Sequence, residues 1–406
     1  MTTTSHPGDA LSRRQKFVYV LVLGLLTALG PFTIDLYLPA FPIIAQQLDV
    51  SAAAVQLTLT ATTLGFAAGQ LVVGPLSDKF GRKLPLIIAT AVHVGASLGA
   101  ALSTDITMLG VFRVLQGIGA AGGSVVAMAM VRDLFGGYRL VKMLSYMALI
   151  SGMAPILAPV IGSQLLAVVD WSGIFWFLAG YGVLVVVASA VFLIETRPPA
   201  SRLDDGVSTL DRYRAVFRDR IFVGTLLVAG FNFAALFTYL SASTFLFQGT
   251  FAFSAQEYGF LFAVNSLGVV VGVQSASRIM RRTGPQWVIA GATVVQVLMA
   301  GAMVLCDQLG AGLWGIIIPL WFFICATGFM FPSVQVMGLT RHGKQAGTAA
   351  SLLGAANFGF AGLMSPVVGL IGVATATPMA VVMGASSLLG MAALWFIVRP
   401  RTVPSI

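Results

Sequence analysis

The chain has 406 residues, 58% of them hydrophobic and only 9% charged, where a soluble domain carries roughly 25% charged residues. That composition excludes a water-facing globule and fits helices of about 20 apolar residues crossing a hydrocarbon core about 30 Å thick. The net charge of +9 raises nucleic acid as a partner, a question that the placement of the basic residues answers.

Residues 1–16 are polar and include Arg13, Arg14 and Lys16. The apolar run after them, 17–38, is too long for a cleaved signal peptide and reads as a retained first helix. Cutting at polar or Gly/Pro-marked gaps predicts eleven more spans: 54–75, 84–103, 106–130, 143–168, 173–194, 221–246, 257–279, 286–306, 312–338, 346–370 and 378–398. One long charge-rich segment, 195–220, divides the spans six and six, giving halves over 1–194 and 221–406. Cys306 falls near a span end and Cys325 within an apolar run, so neither a disulfide framework nor a metal cluster is indicated.

With both termini on the inner side, the inside segments should collect the basic residues. The N-terminus, the 2–3, 4–5, 8–9 and 10–11 loops, the central segment and the C-terminus hold 22 of the 23 lysines and arginines. The opposite loops hold only the acids Asp49, Asp105, Asp170, Glu257 and Asp307. A wrong span count would scramble this alternation. The chain therefore reads as an all-α membrane protein with twelve transmembrane helices and both ends cytoplasmic, and the basic charge is topogenic, without nucleic acid.

Two ionisable residues remain inside spans, Asp35 in the first and Arg113 in the fourth. Each costs about 2.5–3.5 kcal/mol on insertion scales. Asp35 lies about 8–10 Å below the outer end of its helix and Arg113 about 12 Å, at 1.5 Å per residue. A contact or a water-linked pair is therefore feasible. One reading is a static ion pair; the other is a carboxylate in a water-filled cavity that loads and releases a proton as its surroundings change.

The 2–3 loop reads GPLSDKFGRK, residues 74–83. Its two glycines permit a tight turn, Asp78 can sit near the start of the next helix, and Arg82 and Lys83 anchor the inner face. The order of Gly74, Leu76, Ser77, Asp78, Gly81, Arg82 and Lys83 resembles the G-x-L-(A/S)-D-x-x-G-R-(K/R) signature of the major facilitator superfamily. That resemblance implies a loop gating the cytoplasmic side, joined by Arg132 and Asp133 of VRDLF.

In the fourth span, FRVLQGIGAAGG places Gly117, Gly119 and Gly122 in a G-x-G-x-x-G pattern. A dinucleotide site needs a strand before it and a βαβ context, whereas small residues within a span let helices approach, as in Gly119-x-x-x-Gly123. The stretch resembles the superfamily's R-x-x-Q-G-x-G motif, which implies a part in proton transfer for Arg113, with Gln116 one turn away. In the fifth span, GMAPILAPVIGS, 152–163, carries Gly152, Pro155, Pro159 and Gly162 and is similar to the superfamily's antiporter motif. Ala154, Ala158 and Ser163 replace its other glycines.

IDLYLPAFP in the first span resembles the Bcr/CflA-type drug:proton antiporters. Thr27 stands where some related exporters carry a second acid. The resemblance covers essentially all twelve spans. It implies a prokaryotic inner-membrane carrier, with two six-helix pseudo-symmetric halves and a substrate site between them. VVGVQSASRIMRR at 270–282 is a faint second copy of VVGPLSDKFGRK. The substrate cavity is expected to use Asp35, Gln116, Pro155, Asn232 and Tyr239, while Asn265 and Asn357 read as helix–helix hydrogen bonds and His93 as a packed or interfacial histidine. The expected activity is export of small amphiphilic drugs in exchange for protons by a monomer without cofactors. A sugar or metabolite transporter of the same fold is the alternative. No catalytic cluster supports an enzyme.

Overall fold

The computed structural model describes residues 8, 11–197 and 209–403. Arg202, Asp204 and Asp205 of the central segment lie outside these. Among the described residues, twelve helices are long and apolar enough to cross a membrane. They are α1 (Arg13–Asp35), α2 (Ala52–Phe80), α3 (Lys83–Ala101), α4 (Ile106–Leu134), α5 (Gly137–Leu165), α6 (Trp171–Phe192), α7 (Arg220–Phe245), α8 (Ala255–Thr283), α9 (Pro285–Gln308), α10 (Gly312–Leu339), α11 (Ala346–Met364) and α12 (Ala376–Ala392).

Local chemistry moves several boundaries from their expected places. α1 starts at Arg13 because Ser12 and Gln15 form a reciprocal capping box, which adds a polar first turn to the apolar run. It ends at Asp35, and residues 38–47 continue as a 3₁₀ turn and a short helix, Phe41–Gln47, each opening on a proline. α2 does not stop at residue 75. It runs through Pro75 to Phe80, and Gly81, at φ +95°, makes the turn. α11 breaks at Met364, before Pro366, and resumes as the short helix Val367–Ile371.

The packing repeats with a period of six helices. α4 packs against α1, α2 and α3, and α10 packs against α7, α8 and α9. Likewise α1 packs on α5 and α3 on α6, as α7 packs on α11 and α9 on α12. Two larger contacts join the halves, α2 with α11 and α5 with α8, and they exchange under the same six-helix shift. This is the pseudo-symmetry expected of an internally repeated transporter.

Glycines set the closest approaches. A Cβ at Gly65 would strike the Val114 carbonyl, and one at Gly117 the Thr62 carbonyl. In the second half Gly272 faces the Cys325 carbonyl and Gly328 the Val269 carbonyl in the same way. Without a water-driven force between helices in lipid, such backbone contact is what holds α2 to α4 and α8 to α10. The glycines of α4 therefore serve packing. Gly117→Val should lower stability by about 1–3 kcal/mol through overpacking, and Gly328→Val by a similar amount. Thermal unfolding in detergent checks this, and unchanged melting of both variants would contradict the packing assignment.

Candidate functional site

A buried polar cluster ties α1, α3 and α4 together. Arg113 is fully buried; its Nη1 donates to the Thr33 carbonyl (2.9 Å) and to Gln116 Oε1 (2.6 Å). Gln116 Nε2 donates to Ser97 Oγ (2.8 Å), whose hydroxyl donates to the His93 carbonyl (2.7 Å). The Thr33 hydroxyl donates to the Leu29 carbonyl (2.7 Å), so His93 Nε2, 2.8 Å away, is the donor in its bond with Thr33. The guanidinium also lies over the rings of Tyr37 (4.5 Å) and Phe175 (5.6 Å), a desolvated cation–π arrangement. Its Nε and Nη2 have no hydrogen-bond partner among the described residues.

Helix phase keeps Asp35 out of this cluster. Thr33 and Tyr37 are four residues apart and share one face of the chain, whereas Asp35 lies two residues from each, about 200° round. The direct Asp35–Arg113 ion pair that the matched depths allowed does not form. Asp35 is 5% exposed and, among the described residues, makes neither an ion pair nor a hydrogen bond. Three residues on, the 38–40 turn packs on α7 and α8 of the other half, the helices that carry Tyr239 and Tyr258. Asn265 Nδ2 donates to the Tyr239 hydroxyl (3.0 Å), and the Tyr258 hydroxyl bonds Ser243 (3.0 Å). Phe262 stacks on Tyr239 at 5.8 Å and meets Tyr258 edge-on at 6.2 Å.

The other expected cavity residues separate. Gln116 stays with Arg113. Asn232 turns into the second half, where its Oδ1 accepts from Gln296 (2.9 Å), which also donates to Thr327 (3.0 Å). This cluster joins α7, α9 and α10 and is the uncharged counterpart, six helices on, of the Arg113 cluster. Pro155 contributes a carbonyl to the α5–α8 contact, 3.4 Å from Ser266 Oγ, which donates to the Phe262 carbonyl (2.9 Å). Asn357 Oδ1 is buried without a partner among the described residues.

In the fifth-helix motif Gly162 and Gly152 differ. A Cβ at Gly162 would strike the Leu36 carbonyl, so this glycine brings α5 onto the end of α1, while Gly152 has open space around it. Pro155 and Pro159 both lie inside α5.

At the end of the bundle that carries the chain termini, the 74–83 stretch forms an ion-pair network. Asp78, in the last turn of α2 and not at the start of α3, pairs with Arg82 (2.7 Å) and with Arg197. Arg82 Nε donates to Asp133 (2.9 Å) and its Nη1 to Ser77 (2.8 Å). Glu195 binds the backbone N–H groups of Arg82 (2.8 Å) and Lys83 (3.1 Å), supplying the negative charge at the α3 N-terminus that was expected of Asp78. Lys83 Nζ reaches the Ala190 carbonyl (2.8 Å). Gly74 lies within α2 facing Val125, and Arg132 is exposed and forms no ion pair with another described residue. Glu195, Arg197 and Tyr258 carry no motif that sequence reading could isolate. Glu195 alone had a signal, as the first acid after an apolar span.

In the second half Asp219, the N-cap of α7, forms an ion pair at the same end of the bundle. It caps α7 through the Ile221 N–H (2.9 Å), accepts from Arg341 Nε (2.9 Å) and lies 3.3 Å from His342 Nε2.

Among the described residues the chain is an all-helical bundle of two repeated halves, the architecture of a polytopic membrane transporter. The chain belongs to the Major Facilitator Superfamily, whose family model matches residues 23–366. It is 33% identical over 391 residues to the "Uncharacterized MFS-type transporter YdgK" of Bacillus subtilis, covering 96% of this chain and 97% of that one. It is 32% identical to a "Bicyclomycin resistance protein homolog" of Haemophilus influenzae, covering 95% and 97%. The fold is similar to that of the xylose transporter XylE from E. coli in a partially occluded inward open conformation. That match has a TM-score of 0.76 at 13% identity and covers 96% of this chain and 98% of that one.

Burial alone would raise the Asp219 pKa, but the Arg341 hydrogen bond, the Ile221 amide and the charges of Arg341 and His342 outweigh it and hold the group below its ordinary 3.8. Its contribution to stability is therefore present above pH 3.8 and lost as pH falls through the depressed folded-state value. Asp219→Asn keeps the cap oxygen but loses the charge paired with Arg341, so it should unfold more easily at neutral pH by up to about 1 kcal/mol, and the difference should close under strong acid. Detergent melts across pH check this; a gap of the same size at both ends of the range would contradict it.

Proposed function

We propose that the protein exports small amphiphilic drugs across a prokaryotic inner membrane, exchanging them for protons. The chain works as a monomer of two halves, 1–194 and 221–406, joined by 195–220, with both termini cytoplasmic. The placement of 22 of 23 basic residues on one side supports that orientation. Resistance to bicyclomycin in the name of one relative, and "Multidrug resistance protein MdtL" for another at 28% identity from Klebsiella pneumoniae, support drugs as the cargo.

The observation that carries the coupling is Asp35. It is a nearly buried carboxylate with neither a cation nor a hydrogen-bond donor among the described residues, and it stands three residues before the 38–40 turn, which packs on α7 and α8 of the other half. Ionised, such a group is strongly disfavoured unless water or a cationic or polar substrate reaches it. Protonation from the outer side releases the substrate, and opening inward lets the proton leave and a new substrate enter. Arg113, Gln116 and Pro155 shape the first-half wall of the cavity and Tyr239 the second-half wall, while Asn232 supports α7 from behind. Gly74, Asp78, Gly81, Arg82, Lys83 and Asp133 close the cytoplasmic gate, with Arg132 at its rim, and Gly152, Pro155, Pro159 and Gly162 let α5 move against α1 and α8. A membrane potential of 100 mV adds about 2.3 kcal/mol per proton moved inward.

Asp35→Asn should abolish proton-coupled export in proteoliposomes containing a pH dye while leaving the protein folded. Arg113→Lys should retain part of the activity and Arg113→Met very little, because the donor to the Thr33 carbonyl is lost. Full uphill transport by Asp35→Asn would overturn the mechanism, and proton movement in the same direction as substrate would overturn antiport.

A further inference from the structure

The hydrogen bonds that join the two halves lie at the end of the bundle away from the termini and reach inward to about mid-depth. Several of them use a carbonyl that a proline has released from its own helix. Pro366 has no N–H for the Gly362 carbonyl four residues earlier, and Thr60 Oγ1 of the other half donates to it (2.9 Å). Pro159 likewise leaves the Pro155 carbonyl free, and Ser266 Oγ stands 3.4 Å from it across the halves while its one proton goes to the Phe262 carbonyl of its own helix (2.9 Å). Pro42 leaves the Leu38 carbonyl only a 3₁₀ bond from Phe41, and Thr244 Oγ1 donates to it from the other half (3.0 Å).

Gln56 closes the same seam with both ends of its amide. It is fully buried; its Nε2 donates to the Ser241 carbonyl (3.1 Å), and its Oε1 accepts from the Gly369 N–H (2.9 Å). Both partners are backbone groups of the second half. Gly369 sits on the short helix after the Pro366 break, and a Cβ there would strike Gln56 Oε1. Toward the terminal end, the α2–α11 contact continues through stacked Phe66 and Phe358 (4.8 Å) and through Gln70 against Gly354. The ion pairs of Asp78 and Asp219 at that end each stay within one half or its adjoining linker.

We propose that this seam is the far-end gate of the transport cycle, with the proline-released carbonyls as its acceptors and Gln56 as the bolt. A carbonyl released from its helix costs little to expose when a cavity of water opens, because no helical bond must break. The hydroxyl donors are equally indifferent, since each can return to its own i−4 or i−3 carbonyl. The seam can therefore seal the far end without trapping it. Gln56 differs: opening must unmake two bonds of a buried amide together, which makes it the element that sets the balance between closed and open states. The proposal rests on alternating access and is independent of proton coupling.

The test is pulsed electron resonance on the full chain in lipid nanodiscs, with Cys306→Ser and Cys325→Ser as background. One label pair, Ser51→Cys with Ala374→Cys, reads the far end. A second pair, Lys142→Cys with Arg281→Cys, reads the terminal end. Thr60→Val combined with Gln56→Leu should raise the ratio of long to short far-end distances about tenfold, with the terminal-end pair moving closer together. Pro366→Ala attacks the seam separately, because it returns an N–H to the Gly362 carbonyl, and should shift both pairs in the same directions by a smaller factor. Far-end distances unchanged in both folded variants, or lower melting temperatures without any redistribution, would overturn the proposal.

Discussion

Arg113 places its charge on the carbonyl end of α1, and that single contact determines the character of the site. A cation at a helix C-terminus is favourable by about 0.3–1 kcal/mol at an exposed position and by up to ~2 kcal/mol where partly buried. Two aromatic faces add a desolvated cation–π term of about 2 kcal/mol. Held this way, the guanidinium sits at the end of α1 and has no need of a carboxylate. Asp35, two residues from the carbonyl that Arg113 grips, is then carried to the opposite side and presented to the other half without a cation. A static ion pair would have closed both groups off. The observed arrangement leaves one of them available.

The internal repeat clarifies the division of labour. Both halves use the same glycine-mediated crossing between their second and fourth helices, and both bind their first, third and fourth helices with a buried hydrogen-bonded cluster. The second-half cluster, Asn232–Gln296–Thr327, is neutral and fully internal. Only the first half has an arginine in that position and an acid on the adjacent helix face. In the proposed cycle the first half therefore carries the proton chemistry. The second half supplies tyrosines against it and backbone groups for the seam.

Hydropathy and charge placement were enough to read the fold, because lipid forces helical spans and confines nearly all charge to their ends. The same logic isolated Asp35 and Arg113. It could not say which way they point, since depth along a helix is visible in sequence but the facing partner is not; a difference of two residues reversed the pairing. Gln56 was missed for another reason: a neutral amide in a polar-leaning span gives no hydropathy signal, and its partners are backbone groups 185 and 313 residues away. The prolines of the fifth span were visible, but only as members of a motif. What they do between the halves is release carbonyls, a role that appears only once the facing hydroxyl is known.

The central claim is that Asp35 exchanges a proton for substrate at the boundary between the halves. Infrared difference spectroscopy of the purified protein, with and without a transported drug, addresses it most directly, using Asp35→Asn to assign the carboxyl band. The account predicts that adding substrate removes the protonated-carboxyl signal of Asp35 and releases a proton into a weakly buffered medium. A band unchanged by a drug that the protein binds and transports would contradict it.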